Sequence, residues 1–172
     1  ADLGAEKFLD IVCRLGGLRP KVAVLIATAR AVEESGIENL ERHLRNLQNF
    51  GLNVVLCINR FDNDSDKTLK QIKDFAEKEN LPAAETFVFQ KGGVGALELA
   101  NVVLKATSLP AELNFTYNLQ DSSREKIEKL CQKIYGAKNV QYSSEALASL
   151  DKYASLVSSF YVCMAKTQYS FS

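Results

Sequence analysis

This chain lacks the residues from which familiar catalytic sets are built. It has a single histidine, His43, in 172 residues. His43 falls mid-helix between Arg42 and Leu44, a surface or partly packed position, and no Ser-His-Asp or Cys-His set assembles around it. The four cysteines, Cys13, Cys57, Cys131 and Cys163, are widely separated and form no Cys-x-x-Cys pair. That spacing argues against a structural zinc site, so no metal ligands are assigned. Net charge is absent too, with 21 basic and 21 acidic residues. A generic nucleic-acid binder would show a basic excess or stripe. No apolar run is long enough to span a membrane, and no leader segment is expected ahead of the first motif. There is no Gly-x-x-x-x-Gly-Lys-Ser/Thr phosphate loop, no G-x-G-x-x-G fingerprint, no repeat and no low-complexity tract. The scattered cysteines, two of them in apolar runs where a buried thiol acts as a small hydrophobe, imply a reducing compartment, hence the cytoplasm.

What remains is an ordinary globular composition, 47% hydrophobic and 24% charged. Five apolar runs predict strands at Val22–Ala27, Asn53–Asn59, Thr86–Phe89, Asn139–Tyr142 and Phe160–Ala165. The first is continuous and β-branched, as in a strand covered on both faces, and the second is the strongest. Between them, apolar residues at helical spacing predict helices over 38–50, 65–80, 95–107, 122–135 and 143–156. Ser65 or Asp64, and Ser143, stand where N-caps are expected. Gly136 and Pro110 are natural stops. Strand–helix alternation of this kind predicts an α/β fold, a doubly wound, mostly parallel sheet with helices on both faces. The chain reads as one domain over residues 1–172, with a small excursion at 135–158.

Three polar constellations stand at predicted strand ends, where open α/β sheets bind ligands. The first is Asn59-Arg60-Phe61-Asp62. It resembles the Asn-Lys-x-Asp guanine-reading signature, with Arg for Lys, but the missing phosphate loop makes that reading the weakest. A simple turn shaped by Asp62, Asn63, Asp64 and Asp66 competes with it. So does an exposed Phe61 available to stack on a flat heterocycle. The second is Phe89-Gln90-Lys91-Gly92-Gly93-Val94-Gly95, either a tight glycine turn or a loop whose backbone N–H groups approach an anion. The third is Lys166-Thr167-Gln168-Tyr169, where an apolar run stops at a point charge followed by polar side chains. A solvated strand end reads equally well there.

Taken in order, these segments resemble one family. Ala1-Asp2-Leu3-Gly4-Ala5-Glu6-Lys7-Phe8, Val22 to Arg30, Asn39-Leu40-Glu41-Arg42-His43, Ile58-Asn59-Arg60-Phe61, Lys91-Gly92-Gly93 with Gly95, Lys133-Ile134-Tyr135-Gly136-Ala137 and Cys163 to Ser170 are all similar to segments of formyltetrahydrofolate synthetases, the formate–tetrahydrofolate ligases. The departures are specific. The family's phosphate loop and much of its ATP site lie upstream of anything present here. The glycine-rich stretch that follows Arg30 in the family is shortened. Phe160-Tyr161 stands where Leu-Pro is common, and Phe89 where tryptophan is usual.

The resemblance implies a partial P-loop NTPase-like fold, from an enzyme that joins formate to tetrahydrofolate using ATP with Mg. Formyl phosphate is the implied intermediate and 10-formyltetrahydrofolate the product. It places the folate against Phe61 and Phe89, with Phe8 nearby and Lys166, Thr167 and Gln168 lining the polar side. Lys91, Gly92, Gly93 and Gly95 become a candidate anion loop. No catalytic residue is assigned. Formate, tetrahydrofolate and ATP are the implied small-molecule partners, none tightly held, and the parent is expected to be a homo-oligomer. Nucleic acid and membrane are not expected partners. The chain alone, read as a piece of a longer enzyme, is expected to be inactive. The alternative is a non-catalytic α/β structural or interaction module, in which the phenylalanines bury separately.

Overall fold

The structure, a computed structural model, describes residues 4–157 and 159–164. They fall into two compact units, one of residues 20–113 and one of residues 4–19 and 114–164.

In the first unit, β1 (Val22–Ala27), β2 (Asn53–Asn59) and β3 (Ala83–Thr86) form a parallel sheet in the order β1-β2-β3. Val22 to Ala27 face Asn53 to Ile58, and Leu56 to Asn59 face Ala83 to Thr86. The central strand is buried from Val54 to Ile58. Because side chains alternate along a strand, Val54, Leu56 and Ile58 point to one face. There they pack with Val32, Leu40 and Leu44 of the 29–49 helix and Leu69, Ile72 and Phe75 of the 66–78 helix. Val55 and Cys57 point the other way, and the 97–107 helix touches all three strands. Helices therefore cover both faces, and the fold is the expected doubly wound α/β arrangement.

Local chemistry sets the boundaries of these helices. Thr28 caps the first by accepting from the Ala31 N–H at 3.1 Å. Ser65 caps the second through the Thr68 N–H. The shortened stretch after Arg30 is itself helical and joins the predicted 38–50 helix through a single break at Gly36, whose φ is 77°. Glycine alone visits that region without steric cost.

Four strand expectations need correction. The third strand is Ala83–Thr86, not Thr86–Phe89, and Val88–Lys91 is a helical turn. The apolar run Phe87-Val88-Phe89 misleads because Val88 and Phe89 are exposed. Residues 139–142 and the described part of the last run, 160–164, form no strand. Cys163 is exposed rather than buried in a strand. The backbone of that run bonds to side chains instead of a ladder: Lys126 Nζ donates to the Phe160 carbonyl at 3.1 Å, and the Val162 N–H donates to the Tyr117 hydroxyl at 3.1 Å. Finally, β1 is not covered on both sides, since Ile26 on the 97–107 helix face is 62% exposed.

The second unit is helical. An opening helix, Gly4–Lys7, continues through π-helical Phe8–Cys13 to Arg14–Gly16. The 123–133 helix begins with a full capping box between Ser122 and Glu125. Helices over 144–152 and 154–157 follow. Asp10, almost fully buried, accepts from the Thr116 N–H at 2.8 Å, and Arg14 donates to the Tyr117 carbonyl at 2.7 Å. These bonds tie the opening helix to residues 116–117.

Candidate functional site

β2 and β3 end side by side, and their carboxyl ends carry two of the three expected constellations. The ladder between them continues one rung past β2, where the Arg60 N–H donates to the Thr86 carbonyl at 3.0 Å. Below that rung Thr86 is buried and donates to the Asn59 side-chain oxygen at 3.2 Å. The Asn59 side-chain oxygen is therefore engaged within the fold. Arg60 turns back to Glu85 on β3, at 3.0 Å, and Lys73 of the 66–78 helix pairs with the same carboxylate. The hydrogen bond from Lys73, helped by Arg60 and opposed by desolvation, holds the Glu85 carboxyl below the usual range. Arg60 also lies over the Phe87 ring, as does Lys91, at 5.5 Å and 4.8 Å.

Beyond the rung the chains separate into two loops. In the first, the Phe61 N–H donates to Asp64 Oδ2 at 2.8 Å, a side-chain turn that fixes the loop. In the second, Phe89 and Gln90 sit on the helical turn Val88–Lys91, followed by a 3-10 stretch from Gly92 to Ala96. The Phe87 N–H donates to the Gly95 carbonyl at 3.0 Å. A Cβ on Gly95 would lie 2.5 Å from the Phe87 carbonyl oxygen, so only glycine permits this closure. Gly93 has open space around it.

The two loops bring Phe61 and Phe89 together. Their ring centroids are 6.0 Å apart and their planes are inclined by 48°. Phe61 is 41% exposed and Phe89 77%. The two rings therefore form an open aromatic pair at adjacent strand ends. A cleft of about 820 Å³ opens beside β3, lined in part by Lys73, Glu77, Glu85, Phe87 and Glu98. Its lining residues are mostly apolar, with three glutamates and Lys73 among them, and neither Phe61 nor Phe89 lines it. The aromatic pair is the better candidate.

This sequence pattern and the family described as "Formate--tetrahydrofolate ligase" match over residues 1–172. The chain belongs to the formate–tetrahydrofolate ligase family. A formate–tetrahydrofolate ligase of Campylobacter concisus (strain 13826) is 42% identical over 192 residues, covering 100% of this chain and 35% of the relative. One of Thermoplasma acidophilum is 38% identical over 187 residues, with the same coverages of 100% and 35%. The chain thus spans about a third of the length of these curated relatives. Both alignments run longer than the chain's 172 residues, so the relatives carry residues that this ligase segment does not.

The other expected residues of the ligase segment stand as follows. Phe8 belongs to the helical unit, where it is 47% exposed at the start of the π-helical turn. Lys91, Gly92, Gly93 and Gly95 lie in the loop just described. Lys166, Thr167 and Gln168 lie outside the described residues. Phe87, Glu85 and the Asp62–Gln90 contact are not among the residues expected from sequence. The spacing Phe87-x-Phe89 was the available signal for Phe87. No helix among the described residues is long and apolar enough to cross a membrane. Among the described residues, no group of three His, Cys, Asp or Glu side chains is placed to hold a metal ion.

Proposed function

We propose that this chain is the folate-side part of an ATP-dependent ligase that joins formate to tetrahydrofolate. The observation that carries the reading is the Phe61–Phe89 pair, exposed at the carboxyl ends of adjacent parallel strands. A pterin is flat and amphipathic, and such rings take offset stacking on phenylalanine. The alternative of a non-catalytic module expects these rings to bury separately, and their exposure favours the ligase.

In this reading Phe61 and Phe89 sandwich the pterin. Carbon–carbon contact is optimal near 3.5–4.0 Å, so a ring held between two others needs about 7–8 Å. The pair stands at 6.0 Å and is inclined by 48°, so the rings part by about 1–2 Å and turn toward parallel as the folate enters. Phe89, the more exposed ring on a single helical turn, is the wall that moves. Phe8, Lys166, Thr167 and Gln168 enter the folate site from the sequence resemblance alone. Lys91 with Gly92, Gly93 and Gly95 is assigned to an anionic part of a substrate.

The chemistry follows the family's implied route. Formate oxygen attacks the terminal phosphate of ATP, ADP leaves, and formyl phosphate forms. The folate amine then attacks the formyl carbon and phosphate leaves, giving 10-formyltetrahydrofolate. Terminal phosphate must be gripped and neutralised in the first step. The 172 residues contain no phosphate loop for this, so the isolated chain releases no ADP when given formate and tetrahydrofolate. Formate-dependent ADP release by the purified chain would overturn that point. The parent enzyme works in the cytoplasm as a homo-oligomer. The site itself is tested by equilibrium titration of a reduced pteridine into the whole polypeptide that carries this segment. Phe61→Ala should weaken binding threefold or more. Unchanged binding by a folded variant would remove the site.

A further inference from the structure

The two loops that carry Phe61 and Phe89 are tied together at their tips. Gln90 Nε2 donates to Asp62 Oδ1 at 2.5 Å, across 28 residues of sequence. Asp62 directly follows Phe61, and Gln90 directly follows Phe89. The loops are thus bonded at the base by Arg60 N–H to the Thr86 carbonyl and at the tip by Gln90 to Asp62. The two rings project from the span between. A neutral donor on a carboxylate is among the stronger hydrogen bonds. The base rung belongs to the rigid sheet and cannot lengthen without breaking the ladder. The tip bond joins two flexible side chains, so it can follow a movement of about 1–2 Å by rotamer change, but no wider opening while the bond is kept.

We propose that Asp62 and Gln90 form a latch that sets the width of the aromatic slot, making them positioning residues for the flat substrate ring. This deepens the folate reading and rests on it. The latch holds the loops close enough that the slot admits one planar heterocycle and no bulkier group. It also restrains Phe89, which is otherwise exposed on a four-residue turn. Without it the loop ends splay beyond the Arg60–Thr86 rung, and the bound ring keeps one stacking face instead of two.

The test uses the whole polypeptide that carries this segment, with Asp62→Ala, Gln90→Ala, the double variant, and the exchanged pair Asp62→Asn with Gln90→Glu. One net hydrogen bond corresponds to a change of about two- to tenfold. Each single variant should raise the KM for tetrahydrofolate by that factor, leaving kcat and the KM for ATP within twofold. The double variant should be no worse than the weaker single. The exchanged pair, with donor and acceptor swapped, should restore the folate KM. Singles whose effects multiply in the double variant, or no rescue by the exchange, would overturn the latch. A second measurement needs no folate. NMR contacts between labelled Phe61 and Phe89 rings in the ligand-free protein should weaken in both single variants. If they persist, the latch is wrong whatever the folate data say. If they weaken while Phe61→Ala leaves folate binding unchanged, the latch stands and the folate assignment of the slot falls.

Discussion

The Arg60 N–H donates to the Thr86 carbonyl at 3.0 Å, and this rung is where the sheet ends and the site begins. Before it the two strands run as ladder and core, and directly after it come two loops that leave the Phe61 and Phe89 rings in solvent. The residues around the rung hold the loops in place, and each makes a different demand on the sequence.

Glu85 is the charge that anchors the base of the site, paired with Lys73 and Arg60. Its carboxyl lies below the usual range, first because of Lys73. A carboxyl depressed in the folded state adds stability above its unfolded pKa, near 4.3, and loses it as pH falls through the folded value. Glu85→Gln should therefore lower the melting temperature at pH 7, by an amount equivalent to about 0.5–1 kcal/mol for a part-exposed pair. Variant and parent should converge as the pH falls through the folded value. Thermal melts across an acid titration check this, and a loss that stays equal at every pH would show that packing, not charge, is responsible.

The glycine loop makes a contrasting pair of substitutions. A Cβ on Gly95 would meet the Phe87 carbonyl at 2.5 Å, whereas one on Gly93 meets nothing within 4 Å. Gly95→Ala should cost about 1–3 kcal/mol in denaturant unfolding, the usual scale of a forced backbone shift. Gly93→Ala should stay within about 0.5 kcal/mol. Equal effects would mean that the Phe87–Gly95 closure does not hold the loop.

The sheet was legible where apolar runs are buried. Val54 to Ile58 are all enclosed, so their continuous β-branched pattern reads correctly as a central strand. The same logic fails at Phe87-Val88-Phe89, because apolar side chains left in solvent look like core in one dimension. It fails again at residues 160–164, where a lysine and a tyrosine hydroxyl from elsewhere in the helical unit take the place of a strand partner. Phe61 and Phe89 could be singled out through the family resemblance and their position at strand ends. The Asp62–Gln90 bond could not, since two polar residues 28 positions apart leave no local pattern. The break at Gly36 shows the reverse case: the shortened stretch read as an irregularity, and one glycine lets helix continue through it.

The central claim is that Phe61 and Phe89 form the wall of the folate site. The most direct measurement is a paired steady-state titration of tetrahydrofolate and ATP, on the whole polypeptide that carries this segment, for Phe61→Ala and Phe89→Ala. Loss of one stacked ring removes about 0.5–1.5 kcal/mol beyond area burial. The expected result is a threefold or greater rise in the tetrahydrofolate KM for each variant, with the ATP KM within twofold of the parent. A Phe61→Ala protein that is folded and keeps the parent's tetrahydrofolate KM would contradict it, and Phe61 would be a turn residue only.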